Sequence, residues 1–176
     1  VVLQAPLENE LRELPAFKKR DWDQALKDSF LKMDEILESE TGKDALQSIA
    51  KEFQVKGALE QAIIQVTTGQ KEEEDAEGKP LSPEQLDGKG CTAVVVVLLE
   101  NEIICSNAGD SRAVLAVNGI AKDLSEDHKP ALEGERKRIH AAGSTITPEG
   151  RVDGNLNLSR SIGDLRYKKN KNLKPE

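Results

Sequence analysis

The stretch GCTAVVVVLLENEIICSN, residues 90–107, sets the frame for everything around it. Its unbroken β-branched and aliphatic run predicts a strand over 92–99, buried on both faces. Glu100-Asn101 then predicts a tight turn into a second strand, 102–107. A turn centred there sets Leu99 opposite Glu102 and Cys105 opposite Val96. In that register Cys91 lies well away from Cys105, too far for a disulfide. Two cysteines are also too few for a disulfide scaffold or a zinc site. They read as small buried hydrophobes in a reducing compartment.

Working outward, RAVLAV (112–117) and IAKDL (120–124) flank Asn118-Gly119, a strong signal for a type I′ hairpin. Sequential strands joined by tight turns predict an antiparallel meander. A helix follows over about 131–142, with Leu132, Arg136, Ile139 and Ala142, and Gly143 placed to end it. Ser144–Thr147 reads as a short strand entering a Pro148-Glu149-Gly150 turn.

Before the strands the period is helical. Leu7, Leu11 and Leu14 share one face of a short helix that Pro15 ends. Asp21 reads as an N-cap, with Gln24 in the capping-box position. Trp22, Ala25, Leu26, Phe30, Met33, Ile36 and Leu37 then form the apolar stripe of a helix over about 22–38. Thr41 with Asp44 predicts a second cap, and apolar spacing continues to Val66 with Gly57 as an interior weak point. Residues 67–89 change to Gly, Pro and a run of acids, Glu72 to Asp75, and read as a surface loop. The expected organisation is one partial domain: a helical part over 1–66, an acidic loop over 67–89 and a β-rich part over 90–176. Helices, then antiparallel strands, then a helix give an α+β fold.

Composition narrows the function classes. Charged residues are 32% of the 176, aromatics 3%, and the net charge is -7. The core must be aliphatic, and such a surface argues against nucleic-acid or polybasic membrane binding. The longest uncharged apolar run, Ala93–Leu99, is far short of the ~20 residues a membrane span needs. An intracellular protein, cytoplasmic or nuclear, is expected. The opening on Val1 and the polar finish KKNKNLKPE predict a segment of a longer chain.

Three polar turns carry candidate chemistry. In Asn107–Arg112, Asp110 could hold a hard cation such as Mg²⁺ or Mn²⁺ through oxygen, or serve an Asx-turn or an ion pair. In Ser125–Pro130, His128 could act as an acid or ligand, or be structural. In Ser159–Asp164, Arg160 could clamp a phosphate or pair with an acid.

The strings GCTAVVVVLL, SNAGDSRAVL, LSEDHKPALEGERKRIHAAGSTIT, GRVDGNLNLSRSIGD and RYKKNKNLKPE occur in the order and spacing of the type 2C metal-dependent protein phosphatases, and the chain resembles an interior segment of that PPM family. The strong matching covers Gly90 to Asp164, departing at Ser144 and Asn155 where glycine is usual. The resemblance implies an antiparallel β-sandwich flanked by helices on both faces, here incomplete. It implies hydrolysis of phosphoserine and phosphothreonine in proteins, with two Mg²⁺ or Mn²⁺ ions activating a water. Asp110 matches the aspartate that helps hold a third, weaker metal. Arg112, Asp127, His128, Arg160 and Asp164 match structural or supporting positions. Residues 131–164 match the region around the family's mobile flap. The Asp-Gly-His-Gly-Gly strand end, the upstream phosphate-binding Arg and the two C-terminal metal aspartates have no counterpart here; neither Asp87-Gly88 nor Asp153-Gly154 sits in a matching context. The segment alone is therefore expected to be inactive and marginally stable. The alternatives are a catalytically dead binding module, or an incomplete domain that associates with another copy through an open sheet edge.

Overall fold

The computed structural model describes residues 4–53 and 81–174. Helices α1 (Gln4–Glu13), α2 (Pro15–Lys18) and α3 (Trp22–Glu38) pack on one another. A fourth helix, α4, covers residues 40–53. The expected continuation to Val66 and the acidic run Glu72–Asp75 lie outside the described residues.

The α3 stripe forms as the spacing predicts. Ala25, Leu26, Met33 and Leu37 are buried. Ser29, also buried, donates its hydroxyl to the Leu26 carbonyl at 2.8 Å, so this hydroxyl is not left unpaired inside the helix packing. Asp21 accepts from the Gln24 amide, but the Gln24 side chain turns to Asp28 at 2.7 Å, leaving the capping box half made. Pro15 opens α2 at its first turn, where its missing N–H costs nothing. At the next junction the cap is Ser39, not Thr41. Its hydroxyl accepts from the Gly42 amide at 3.1 Å, and Thr41 already lies inside the helix. Met33, Leu37 and Ile162 form the core cluster, with Leu7, Phe30, Ile36, Leu46, Ala93 and Leu165 packed around it.

The described chain is α+β and incomplete. Three antiparallel pairs are formed: β1 (Gly90–Cys91) with β6 (Ile162–Gly163), β2 (Ala93–Leu98) with β3 (Ile103–Ala108), and β4 (Val114–Val117) with β5 (Ile120–Asp123). The β2–β3 register sets Val96 opposite Cys105, and the Leu99 amide donates to the Glu102 carbonyl at 2.9 Å, as the turn position predicts. Asn118 (φ 51°) and Gly119 (φ 80°) both adopt the left-handed conformation that a type I′ turn demands.

Five further expectations are corrected. β2 is not buried on both faces: Val96 and Leu98 are 41% and 73% exposed. Among the described residues β3 is its only ladder neighbour, so outward-facing positions meet no second layer. The strands do not form one meander, because residues 109–113 bond to 124–128 and not to a neighbouring strand. Both cysteines are free, but Cys91 is exposed and Cys105 half-buried, not core residues. Ser144–Thr147 forms a single bridge, Ile146 to Val152, in place of a strand. The end of the predicted acidic loop is also ordered: Ser82 caps a short helix, α5 (Pro83–Asp87), through a complete capping box with Gln85, and buries Leu86.

Helix α6 (Glu133–Ala141) closes as expected. Gly143 (φ 89°) follows its cap, and the Ser144 and Gly143 amides donate to the Ile139 and His140 carbonyls at 3.1 and 3.0 Å, a Schellman ending. Among the described residues no helix is long and apolar enough to cross a membrane.

Candidate functional site: a fastened pair of loops and the clamp beside it

The loop after β3 and the loop after β5 are laced together. At the neck of the β4–β5 hairpin, the Leu124 amide donates to the Ala113 carbonyl and the Ala113 amide to the Ser125 hydroxyl, both at 2.9 Å. Next, Arg112 forks onto Asp127 with Nε–Oδ1 2.7 Å and Nη2–Oδ2 2.9 Å. Beyond that, the His128 amide donates to the Gly109 carbonyl at 2.9 Å, and the Gly109 amide donates to His128 Nδ1 at 3.1 Å. Asn107 bridges both loops, its amide nitrogen donating to the Gly109 and Glu126 carbonyls at 3.0 and 2.7 Å. The last rung is an ion pair between Asp110 Oδ2 and Lys129 Nζ.

Each fastening has a local cause. Gly109 sits at φ +112°, and a Cβ there would meet Thr92 Cγ2 at 2.4 Å, so only glycine fits the turn. Thr92 in turn bonds the Ser111 hydroxyl at 2.7 Å, tying the turn to the residue between β1 and β2. Accepting from Gly109 fixes His128 as the neutral tautomer with its proton on Nε2. Burial, and then the nearby Arg160 charge, hold its pKa below the usual imidazole range. The Arg112 hydrogen bonds hold the Asp127 carboxyl below the usual carboxylate range.

A second assembly fixes the segment that follows α6. Glu135 is buried on the helix. Arg160 reaches it through Nε and Nη2, at 2.8 Å for the closest contact, and Arg138 adds a bond at 2.9 Å. Burial alone would raise the Glu135 pKa, but the bonds from Arg160 and Arg138 outweigh it and bring it to about 2. Arg138 also donates to the Ser159 carbonyl, and the Ser159 amide donates to the His128 carbonyl at 3.0 Å. The clamp and the laced loops are thus one connected network. Arg160 pairs with an acid and is not free to receive a phosphate.

Asp164 closes the segment. It takes a left-handed backbone (φ 50°), and its amide donates to the Lys89 carbonyl at 2.8 Å. Its carboxylate crowds Gly90, where a Cβ would lie 2.2 Å from Oδ2. Asp34 of α3 accepts from the Gly163 amide at 2.8 Å and pairs with Lys168.

The structure therefore gathers Asp110, Arg112, Asp127 and His128 in one place, links Arg160 to them through the Ser159 backbone, and sets Asp164 at the β1–β6 crossing. Sequence reasoning missed Lys129, Glu135, Arg138 and Asp34. Only the i,i+3 spacing of Glu135 and Arg138 carried a signal, and such pairs are common on exposed helices. A divalent cation takes six or more oxygens. Among the described residues no three His, Cys, Asp or Glu side chains converge, and the one carboxylate in question already faces an ammonium. These residues do not by themselves fit a metal ion.

The model of the family described as protein phosphatase 2C matches residues 41–176. A rice relative named probable protein phosphatase 2C 58 is 37% identical over 175 residues, covering 97% of this chain and 47% of its own. Protein phosphatase 2C homolog 3 of Schizosaccharomyces pombe is 58% identical over 90 residues, covering 51% of this chain and 21% of its own. A solved phosphatase from Toxoplasma gondii is 45% identical over a region covering 42% of this chain and 23% of that one, with a TM-score of 0.41. The chain spans about half the length of the rice relatives it matches. With the family pattern present on most of its length, the chain belongs to the protein phosphatase 2C family.

Proposed function

We propose that this chain is a segment of a metal-dependent protein serine/threonine phosphatase that hydrolyses phosphoserine and phosphothreonine with Mg²⁺ or Mn²⁺, and that the segment alone is inactive. The observation that carries the reading is the family match over residues 41–176, which contains the whole laced-loop network. The network has the character of a scaffold. Its charged groups are spent on one another, and the role that fits them is to hold Asp110 and the 159–164 segment in fixed relation. In this reading Asp110 is a peripheral ligand of a weaker metal site, and the phosphorylated protein meets the surface formed by residues 131–164. The principal metal ligands come from elsewhere in the longer protein.

The test is phosphate release from a phosphothreonine peptide with Mn²⁺, with and without chelator. The chain alone is expected to release none, and a longer protein supplying Asp-Gly-His-Gly-Gly to be active and chelator-sensitive. Chelator-sensitive release by the chain alone would show that the essential ligands are within it. A longer protein that has the motif and stays silent would turn the reading to a phosphatase-like binding module.

A further inference from the structure

Asp164 is a buried charge without a partner. The residue is 7% exposed, yet among the described residues its carboxylate has neither a hydrogen bond nor an ion pair. The cations that follow it in the chain are engaged elsewhere. Lys168 pairs with Asp34 and donates to the Ser161 carbonyl at 2.7 Å, Lys169 pairs with Asp87, and the Arg166 guanidinium lies 4.9 Å over the Tyr167 ring. The backbone holds the carboxylate where it is. Gly163 (φ 79°) and Asp164 (φ 50°) are both left-handed, and this rare turn is fixed from two sides: Asp34 accepts from the Gly163 amide and the Lys89 carbonyl from the Asp164 amide, both at 2.8 Å. The carboxylate therefore stays against β1 at Gly90, whose missing side chain makes the room. Both residues of β1 are exposed, and β6 is its only ladder partner among the described residues, so its other side is open.

We propose that Asp164 is a docking point for a basic side chain, an ammonium or a guanidinium, carried by the part of the longer protein that lies alongside β1. The proposal rests on the reading of this chain as a segment, which spans about half the length of its rice relatives. A full charge is required and not only a neutral donor, because a carboxylate taken out of water is balanced by an opposite charge bonded to it. The net charge of -7 on this chain also draws a cationic partner towards it. The one rival within the chain is Lys89, whose carbonyl already bonds the Asp164 amide. Its side chain is exposed and makes no ion pair among the described residues.

The test is Asp164→Asn, which keeps the shape of the side chain and suits the left-handed backbone but removes the charge. Thermal unfolding is followed by circular dichroism in this chain and in a longer protein supplying Asp-Gly-His-Gly-Gly. In the chain alone the midpoint is expected to hold or rise, since an uncompensated buried charge is lost. In the longer protein it is expected to fall by roughly 5 °C or more, because the cation is left unpaired. Asp164→Gly, equally at ease at positive φ, should fall there too. An unchanged midpoint in the longer protein overturns the proposal, whether or not the isolated chain gives a readable transition. A fall of equal size in the chain alone also overturns it. Lys89→Gln should add independently to Asp164→Asn in the longer protein; a non-additive pair would make Lys89 the partner and overturn the docking point. Phosphate release by the unmodified longer protein is measured alongside. A silent protein that still loses stability in Asp164→Asn keeps the docking point and refutes only the phosphatase reading.

Discussion

Replacing Glu135 by glutamine keeps the shape of the side chain but removes the charge that Arg160 and Arg138 converge on. The folded pKa of about 2, against an ordinary 4.5, corresponds to roughly 3 kcal/mol at 1.36 kcal/mol per unit. The two arginines are 37% and 31% exposed, so solvent screening reduces this to about 2 kcal/mol. The sign follows from the direction of the shift. The group is more acidic folded than unfolded, so its stabilisation is complete above pH 4.5 and fades as pH falls towards 2. Urea denaturation followed by circular dichroism at pH 7 should show Glu135→Gln about 2 kcal/mol less stable. At pH 2.5 the difference should shrink. A loss under ~0.5 kcal/mol at pH 7 would be within the range of ordinary surface changes, and would refute the clamp as a significant part of the fold.

Met33→Ala should cost about 2–5 kcal/mol, measured the same way, because the side chain is fully enclosed in the core cluster. Gly109→Ala should destabilise by about 1–3 kcal/mol through its positive φ and the Thr92 contact, while Gly134→Ala, with nothing within 4 Å, should be neutral or stabilising. Asp34→Asn should speed hydrogen exchange at the Gly163 amide more than elsewhere, since that carboxylate is the acceptor of this N–H; uniform protection would count against it. The chain alone should unfold at low temperature, because Val96, Leu98 and Ile103 are left 40% or more exposed; a thermal midpoint above about 45 °C, where ordinary domains cluster, would oppose this.

Local chemistry was legible wherever one short stretch decides it. Asn118-Gly119 dictates its turn, Gly143 its helix ending, and the Glu100-Asn101 turn the strand register. What failed needed knowledge of what lies across the gap. A run of valines reads as doubly buried, but a run cannot show that only one neighbour is present. Ser39 and Thr41 are equally good caps on paper, and the choice is made by how α3 hands over to α4. At the site, the turns were visible as polar strings with glycine. Their partners, Glu135 for Arg160 and Lys129 for Asp110, lie 25 and 19 residues away and follow no period. The resemblance to a family singled out one member of each pair and left the other to the fold.

The fastening at Ala113 and Leu124 has a consequence for how this part of the chain can vary. It pinches the β4–β5 hairpin at its base, so the ten residues between are a closed side branch whose ends are already joined. At the tip, space around Gly119 is open. Lengthening a branch whose neck is fixed costs little, growing only with the logarithm of its length. The hairpin tip is thus insulated from the laced loops. Residues can be inserted or exchanged at 118–119 while Asp110, Asp127 and His128 keep their places, which makes the tip a natural point for attaching a probe or a new recognition element.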